Sequence, residues 1–579
     1  MSIFLALVLY FIHPLAALAA SEFTLNQSVN YQIQPNGDAL VSHHFKLKNN
    51  FSQIYATQYL IDLSEDNLKN ITATDDVGNI LLKTTISDDN TRLVLKFNHP
   101  ATGKDQVTQF KLNYISAHFA QAKGNTWEIQ LPQFSLTNPS DLLDVYLSFP
   151  NTFGKISYSS LGPISTSPAG DQTLVHLTKG QLVDKKILLV LGNYQIFNFN
   201  LSYYLTNPNS YPVMTEIPLP PDTDNQKITL NPIFPSPKNI MIDPDGNWLA
   251  QFYLAAGQNL QLSVAGQAKI TSSPKVHQIS IDASAYLSEQ AFWPTSSTQL
   301  QSIAAKLHSP QEVFDFVVSH LNYNYRPSNL SFRKGALVAF NNPNDSLCTE
   351  FADLFVTLAR QAGIPSREVE GFAYSNNPKI KPIFSQTDIL HAWAQYYDDQ
   401  SRQWKSVDPT WTKTTNGLDY FHTFDLNHLT FVVHGLNSQY PQPPGSYKSD
   451  ADKQTVDVQF ATTEIALTRL PPVIASNRLG VTLSNPNNSS LDHLVIKLDG
   501  QADLVDKLPP YSHYSFKVVQ PLTVASLLPQ NRTLNLTVAA DDLSPTTYHP
   551  INYLYYLRLS IFLAVVILFL CLGGIILTR

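Results

Sequence analysis

Leu559 to Leu577 is an unbroken run of 19 residues without a charge. At 1.5 Å per residue a helix of that length is about as long as a hydrocarbon core is thick. Tyr553, Tyr555 and Tyr556 precede the run as an interfacial belt, Arg558 caps one side, and Thr578 and Arg579 follow it. A buried core helix is the plain alternative. The terminal position, the tyrosine girdle and the Gly573-Gly574 pair within uninterrupted Leu, Ile, Val and Phe favour one transmembrane helix over 559–577. At the other end, Met1 to Ala20 is apolar with small residues at Ala16, Ala17, Ala19 and Ala20, which predicts a secretory signal cleaved near Ala19 or Ala20. No lysine or arginine precedes the apolar stretch, so an uncleaved anchor is the alternative. The expected location is the cell membrane, single-pass, with the bulk of the chain extracytoplasmic and a two-residue cytoplasmic tail.

That topology leaves the exterior with one cysteine. The chain has 2 cysteines, and Cys571 lies inside the apolar run, so it cannot bridge to Cys348. The exterior must be held by hydrophobic cores without a disulfide. With 579 residues, length alone suggests about three to five domains. Charged residues make up 14% and the net charge is −7, so no basic surface invites nucleic acid or anionic lipid.

The flanks read as all-β. Val29, Tyr31 and Ile33 alternate into Pro35-Asn36-Gly37-Asp38, and Val41, His43, Phe45 and Leu47 alternate out, a hairpin signature. Similar strands predict an N-terminal β-sandwich over 21–155 and a second β-rich domain over 156–272. Helical signals concentrate in 295–365, including Pro310 at a helix start, and mark a catalytic core at 273–440. Tyr440 to Ser446 reads as a linker, 447–540 as a small immunoglobulin-like sandwich, and 541–552 as a stalk. Asn-x-Ser/Thr triplets occur at Asn26, Asn70 and Asn535, but such triplets arise often by chance.

The chemistry gathers in the core. Phe351, Leu354, Phe355, Leu358 and Ala362 form a stripe at helical spacing closed by Gly363 and Pro365, so Cys348 starts a helix. Ser346 or Asp345 is the expected N-cap, and the helix start should lower the thiol pKa and favour thiolate. Leu390 to Tyr397 reads as a strand, Asp398 to Gln403 as a turn and Trp404 to Asp408 as the returning strand. A turn symmetric about Asp399 and Gln400 sets Asp408 opposite His391. Cys348, His391 and Asp408 then make a nucleophilic triad for acyl transfer. Each residue alone has a blander reading: a packed core cysteine, a hydrogen-bonded structural histidine, and a turn-forming aspartate before proline. Trp393 and Trp404 read as core or cleft wall. His422, His428 and His434 recur every six residues without ligand spacing, and read as solvated or capping residues. No metal and no cofactor is expected.

The block Arg333-Lys334-Gly335-Ala336, Cys348-Thr349-Glu350-Phe351-Ala352-Asp353-Leu354-Phe355, Gly363-Ile364-Pro365-Ser366-Arg367, Gly371, His391-Ala392-Trp393 and Asp408-Pro409-Thr410 resembles the core of the transglutaminase-like superfamily, over roughly 275–440. The resemblance implies a papain-related α+β core flanked by all-β sandwich domains, and it matches Cys348, His391 and Asp408 to the family triad. Relatives of the membrane-anchored prokaryotic type are presumed cysteine peptidases or protein crosslinkers. Many carry glycine where this chain has Ser346. The side-chain donor that assists the oxyanion is not placed, Tyr323, Asn324 and Tyr325 being nearest by sequence. The expectation is a cell-surface enzyme acting on protein or peptide amides by hydrolysis or crosslinking. The rival expectation is a surface scaffold or adhesin that keeps the fold for binding alone.

Overall fold

A computed structural model describes residues 21–63, 68–87, 90–134, 136, 138–183, 185, 187–272, 281–326, 333–375, 381, 388, 390–450, 453–477, 480–498, 501–517, 535–541, 543–549 and 553–577. The chain divides into two compact units: the first comprises Met1–Gln121, Glu128–Gly154 and Pro163–Leu188, the second Ala122–Trp127, Lys155–Gly162 and Leu189–Arg579. The expected signal segment at 1–20 lies outside the described residues.

In the first unit, the expected hairpin forms with full register, Phe23–Ile33 against Ala39–Asn49, so that Val29, Tyr31 and Ile33 share one buried face with Val41 and Phe45. This pair is the centre of a seven-stranded sheet. The boundary expected at residue 155 cuts through that sheet. Gln172–Thr178 pairs with Leu142–Pro150, and Thr166–Ala169 adds at its edge. Short connections with weak alternation hid this continuation.

In the second unit, Tyr194–Thr206 and Asn259–Thr271 pair along their whole lengths. Their inward residues pack with Trp248, Ile217 and Leu230 in a large apolar core that also takes in Phe372, Leu429 and Phe431 from the catalytic region. Val456–Phe460 joins this sheet through Tyr194–Thr206, so the start of the expected immunoglobulin-like module serves the neighbouring sandwich instead. The remaining strands from 473 to 548 form two small sheets around Val481, Leu483, Leu494 and Ile496.

The region expected to be catalytic is a four-stranded antiparallel sheet in the order Gln403–Val407, His391–Asp398, Ser366–Ala373, His428–His434, with the helix Cys348–Gln361 packed on it. A helix that starts at Cys348 and packs on an antiparallel sheet, among many other β-sheets, is the α+β arrangement expected. The helix ends in a complete Schellman motif: Ile364 N–H donates to the Ala359 carbonyl at 2.9 Å and Gly363 N–H to Arg360 at 3.1 Å. Gly363 takes φ +80°, which a side chain would strain. The helix is buried from Cys348 nearly to its end, not only on its apolar stripe. Its polar residues are consequently paired. Trp293 Nε1–H donates to Asp353 at 2.8 Å, and Arg360 donates to the carbonyls of Ser366, Ser288 and Gly435.

Gly371 lies where two strands come closest. A Cβ there would stand 2.0 Å from the Leu429 carbonyl oxygen and 3.0 Å from the Trp393 ring. Neither a carbonyl in a ladder nor a buried indole can yield, so Gly371→Ala should destabilise the core by about 1–3 kcal/mol or more. A lower urea midpoint at unchanged m-value would register that loss; an unchanged midpoint would show that the strands separate without cost.

Tyr553–Leu577 is helical along its backbone. No helix among the described residues is long and apolar enough to cross a membrane.

Candidate active site

Cys348 is the first residue of its helix, but the cap differs from the expected one. Leu347 is the N-cap, in extended conformation, and Ser346 is fully buried with its Oγ unpartnered. Leucine has no oxygen to offer the helix N–H groups. Glu350 supplies the return half of a capping box, accepting the Leu347 N–H at 2.9 Å, and also takes the Lys334 N–H at 2.8 Å. The hydrophobic Leu347 thus seals the helix start, and a carboxylate occupies part of its donor set.

The hairpin register also differs. Ala394 pairs with Val407 and Asp398 with Gln403, so the turn is centred between Gln400 and Ser401, one position later than expected. Arg402 takes φ +54° and the Ser401 hydroxyl donates to Asp398 at 2.5 Å, which fixes the turn over 399–402. The strand stops at Val407. Asp408 is instead the N-cap of the helix Pro409–Thr414, accepting the Trp411 N–H on Oδ1 at 3.0 Å. The slip is two residues, so the side chains keep the same face. His391 Nε2 still meets Asp408 Oδ2 at 2.9 Å, with both side chains fully buried.

This contact fixes the tautomer. An ionised carboxylate can only accept, so Nε2 carries the proton and Nδ1 presents a lone pair. Among the described residues Nδ1 has no hydrogen-bond partner, the Cys348 sulfur included. The Ala392 N–H, one residue past His391, donates to that sulfur. Cys348 and His391 line the same cavity of about 370 Å³, together with Ala392, Leu347, Thr349, Glu370, Arg333 and His434.

Burial sets the proton inventory. It pushes the Cys348 thiol well up, against the Ala392 N–H and with help from Glu350, Glu370 and Asp408. The lowered thiol pKa expected from the helix start is therefore overturned in this closed arrangement, where the thiol is 3% exposed. Burial also lowers the His391 pKa below its ordinary value, outweighing Asp408. Asp408 itself is held below the carboxylate range, because His391 and His428 together outweigh its desolvation. A neutral thiol faces a neutral imidazole backed by a charged carboxylate.

Two histidines expected to be solvated are not. His422 is exposed and bonded to Asp419, as its position suggested. His428 is buried, its Nδ1 at 2.7 Å from Asp425 and its Nε2 at 3.6 Å from Asp408. His434 is buried too, between Glu368 at 3.3 Å and the Pro441 carbonyl at 2.7 Å. The signal for His428 was Asp425 three residues earlier, which the six-residue spacing obscured.

Pro441 belongs to the stretch expected to be a linker. Ser438, Gln439, Gln442, Pro443 and Ser446 line the cavity, and Arg333 holds the Ser438 carbonyl at 3.2 Å. The stretch is a wall of the cleft. Trp393 is buried and packs with Val369 and Val433, while Trp404 is half-buried and stacks on Arg367. Upstream, Asn324 is engaged with Ser346 and Asp345. Tyr325 is exposed. Tyr323 bridges to Ser346, and its pKa is raised by burial and then by Cys348.

Two buried groups bring ligand-type atoms within 4.8 Å: His391, Asp408 and His428, and Glu368, Glu370 and His434. The second already encloses a cation, since Arg333 donates to Glu368 and Glu370. In the first, the atoms that would face a metal are joined by the Nε2–H bond to Asp408. Both fit hydrogen-bonded ion networks better than metal centres.

Residues 296–409 match the transglutaminase-like superfamily. No curated protein sequence matches the chain. Among solved structures, the chain is similar to a cysteine protease candidate from Cytophaga hutchinsonii, at 13% identity and TM-score 0.31, covering 57% of this chain and 93% of that one. It is also similar to the periplasmic domain of TgpA from Pseudomonas aeruginosa, at 15% identity and TM-score 0.22, covering 39% of this chain and 91% of that one.

Proposed function

Residues 296–409 are a transglutaminase-like domain, and from that premise we propose that the chain is a cysteine-dependent acyl-transfer enzyme acting on protein or peptide amides. The observation that carries this reading is the shared cleft: Cys348 and His391 line one cavity, and His391 is oriented by Asp408 at 2.9 Å.

In the proposed cycle, an amide enters the cleft and brings thiol and imidazole together, as catalytic pairs often tighten only with substrate. Nδ1 of His391 takes the thiol proton while the sulfur adds to the carbonyl carbon. The Cys348 N–H and, in this reading, the Tyr323 hydroxyl receive the developing oxyanion. The imidazolium then returns its proton to the departing amine, leaving a thioester on Cys348. Water or a second amine releases the acyl group, with His391 again removing the nucleophile's proton. Because His391 is held below its ordinary pKa, it stays a base under mildly acidic conditions. The acid limb of kcat/KM should therefore lie below pH ~6.5.

We further propose that the C-terminal helix anchors the chain in a membrane with the enzyme on the outer side. Within that helix Ile567, Phe569 and Leu570 are 59%, 70% and 71% exposed, a surface that water disfavours and lipid accepts. The rival, a binding scaffold, draws on the sealed thiol.

Incubating the full chain with a peptide library and a labelled amine decides among these, with Cys348→Ala as the blank. Donor incorporation means transferase and cleavage means peptidase. Neither, in wild-type protein that folds, would end the enzymatic reading and leave the scaffold.

A further inference from the structure

Behind the pair just described lies a second one that the proposed cycle does not use. His391, Asp408, His428 and Asp425 alternate base and acid through the interior: His391 Nε2 is 2.9 Å from Asp408 Oδ2, His428 Nε2 3.6 Å from the same oxygen, and His428 Nδ1 2.7 Å from Asp425 Oδ1. All four side chains are buried. Aromatic rings close the space around them. Trp411 stacks on His391 at 4.8 Å and lies 4.7 Å from His428, and Phe424 lies 4.3 Å from His428.

We propose that His428, held by Asp425, is a positioning residue for the catalytic pair: it stands beside the Asp408 oxygen that takes the His391 proton and so sets how strongly that carboxylate supports a charged His391. The inference rests on the acyl-transfer reading and deepens it. His428 Nε2 has no hydrogen-bond partner of its own, yet it points its edge at the oxygen that already takes the His391 proton. A second cation on that oxygen competes with the first.

The surroundings make His428 the charged member of the two. Burial opposes its charge, but Asp425 and Asp408 outweigh burial and raise its pKa, whereas the His391 pKa is lowered, in part by His428. The other groups facing this chain are the Tyr420 hydroxyl, which donates to Asp425 at 3.0 Å, and Lys381, 3.9 Å from Asp425. Tyr158 lies against Tyr420 with ring centroids 5.2 Å apart, and the Cys348 sulfur is beside His391 through Ala392. Lys381 and the Tyr420 hydroxyl balance the far end of Asp425, and Tyr420 meets Asp408 through its backbone carbonyl, which accepts the Asp408 N–H at 3.1 Å. His428 is the group that couples the two carboxylates.

Removing its charge should return Asp408 wholly to His391. The imidazolium form of His391 becomes easier to reach, and the pH at which the Cys348–His391 pair loses its first proton moves up. The test is the rate of Cys348 alkylation by iodoacetamide in the full chain across pH, read on the Cys348 peptide by mass spectrometry so that Cys571 does not interfere. His428→Gln should shift the midpoint upward by about one pH unit, and Asp425→Asn should shift it the same way because His428 then loses the partner that keeps it charged. A packing role alone would lower stability and leave the midpoint in place, and that result overturns the proposal. Should His428→Gln fail to fold, Asp425→Asn carries the same comparison. The underlying reading fails separately: if His391→Ala labels as fast as wild type, there is no activated pair and both ideas fall. If His391→Ala slows labelling while His428→Gln and Asp425→Asn leave the midpoint unmoved, only the positioning role falls.

Discussion

Asp408→Asn should cut kcat by about a thousand- to ten-thousand-fold while leaving the fold intact, the scale seen when a triad histidine is put in the wrong tautomer. The size of the effect follows from the double duty of this side chain. Oδ1 caps the helix Pro409–Thr414 by accepting the Trp411 N–H, and Oδ2 accepts from His391. Asparagine is as good a cap as aspartate, and the Trp411 N–H demands an oxygen. The amide must therefore place its NH2 toward His391. An NH2 donates, so Nε2 has to become the acceptor and the imidazole proton moves to Nδ1, the nitrogen that must be bare to take the thiol proton. Asp408→Ala would lose the cap as well and confuse the two effects. Turnover of the substrate found in the peptide assay, alongside thermal unfolding, checks this. A variant with near wild-type kcat would mean that His391 does not act through Nδ1.

The elements that carry the candidate site were more legible than the details of their geometry. Cys348 at a helix start, His391 on a strand and Asp408 beyond a turn could be read because each element has a strong local signature: a helical apolar stripe ended by Gly363, and a hairpin of aromatic and apolar residues around a polar turn. The errors arose where tertiary contacts overrule local preference. Leu347 caps the helix although leucine is a poor cap, because the site buries that position and Glu350 reaches back to accept the Leu347 N–H. The turn slid by one residue because the Asp398 carboxylate takes the Ser401 hydroxyl and fixes the turn over 399–402, which no count of alternating residues reveals. The thiol looked activated because a helix start favours an anion, yet desolvation, invisible in a sequence, is the larger influence. Tyr440 to Ser446 looked like a linker from its prolines; its place as a cleft wall depends on buried His434, which meets the Pro441 carbonyl, and on Arg333, distant in sequence, which holds the adjoining Ser438. Domain boundaries failed for the same reason. Strand pairing between Phe197 and Phe460 joins segments that composition alone assigns to different modules.

Arg333→Met should be the most destabilising single change in the core, costing about 3–5 kcal/mol, because it strips the cation from buried carboxylates and leaves their charge uncompensated. Arg333 donates to Asp353 and Glu368, which are fully buried, and lies 3.3 Å from Glu370. Its guanidinium also stacks over Phe292 at 4.3 Å, and methionine keeps that apolar contact, so the loss isolates charge from packing. Even with Arg333 present, burial raises the pKa of both Asp353 and Glu368 above the usual carboxylate range. A carboxyl whose folded pKa is raised binds a proton more tightly in the native state, so its charge weakens the fold as pH rises from the ordinary value toward the shifted one. Without Arg333 those values climb further and the window extends upward. The variant should thus lose stability steadily from about pH 4.5 through neutrality, and its deficit against wild type should be smallest near the acid end, where the carboxyls are protonated in both. Urea unfolding of the two proteins across that range gives the answer. A deficit independent of pH would mean that Arg333 contributes through packing, and that the carboxylates on this side of the cleft wall are neutral throughout.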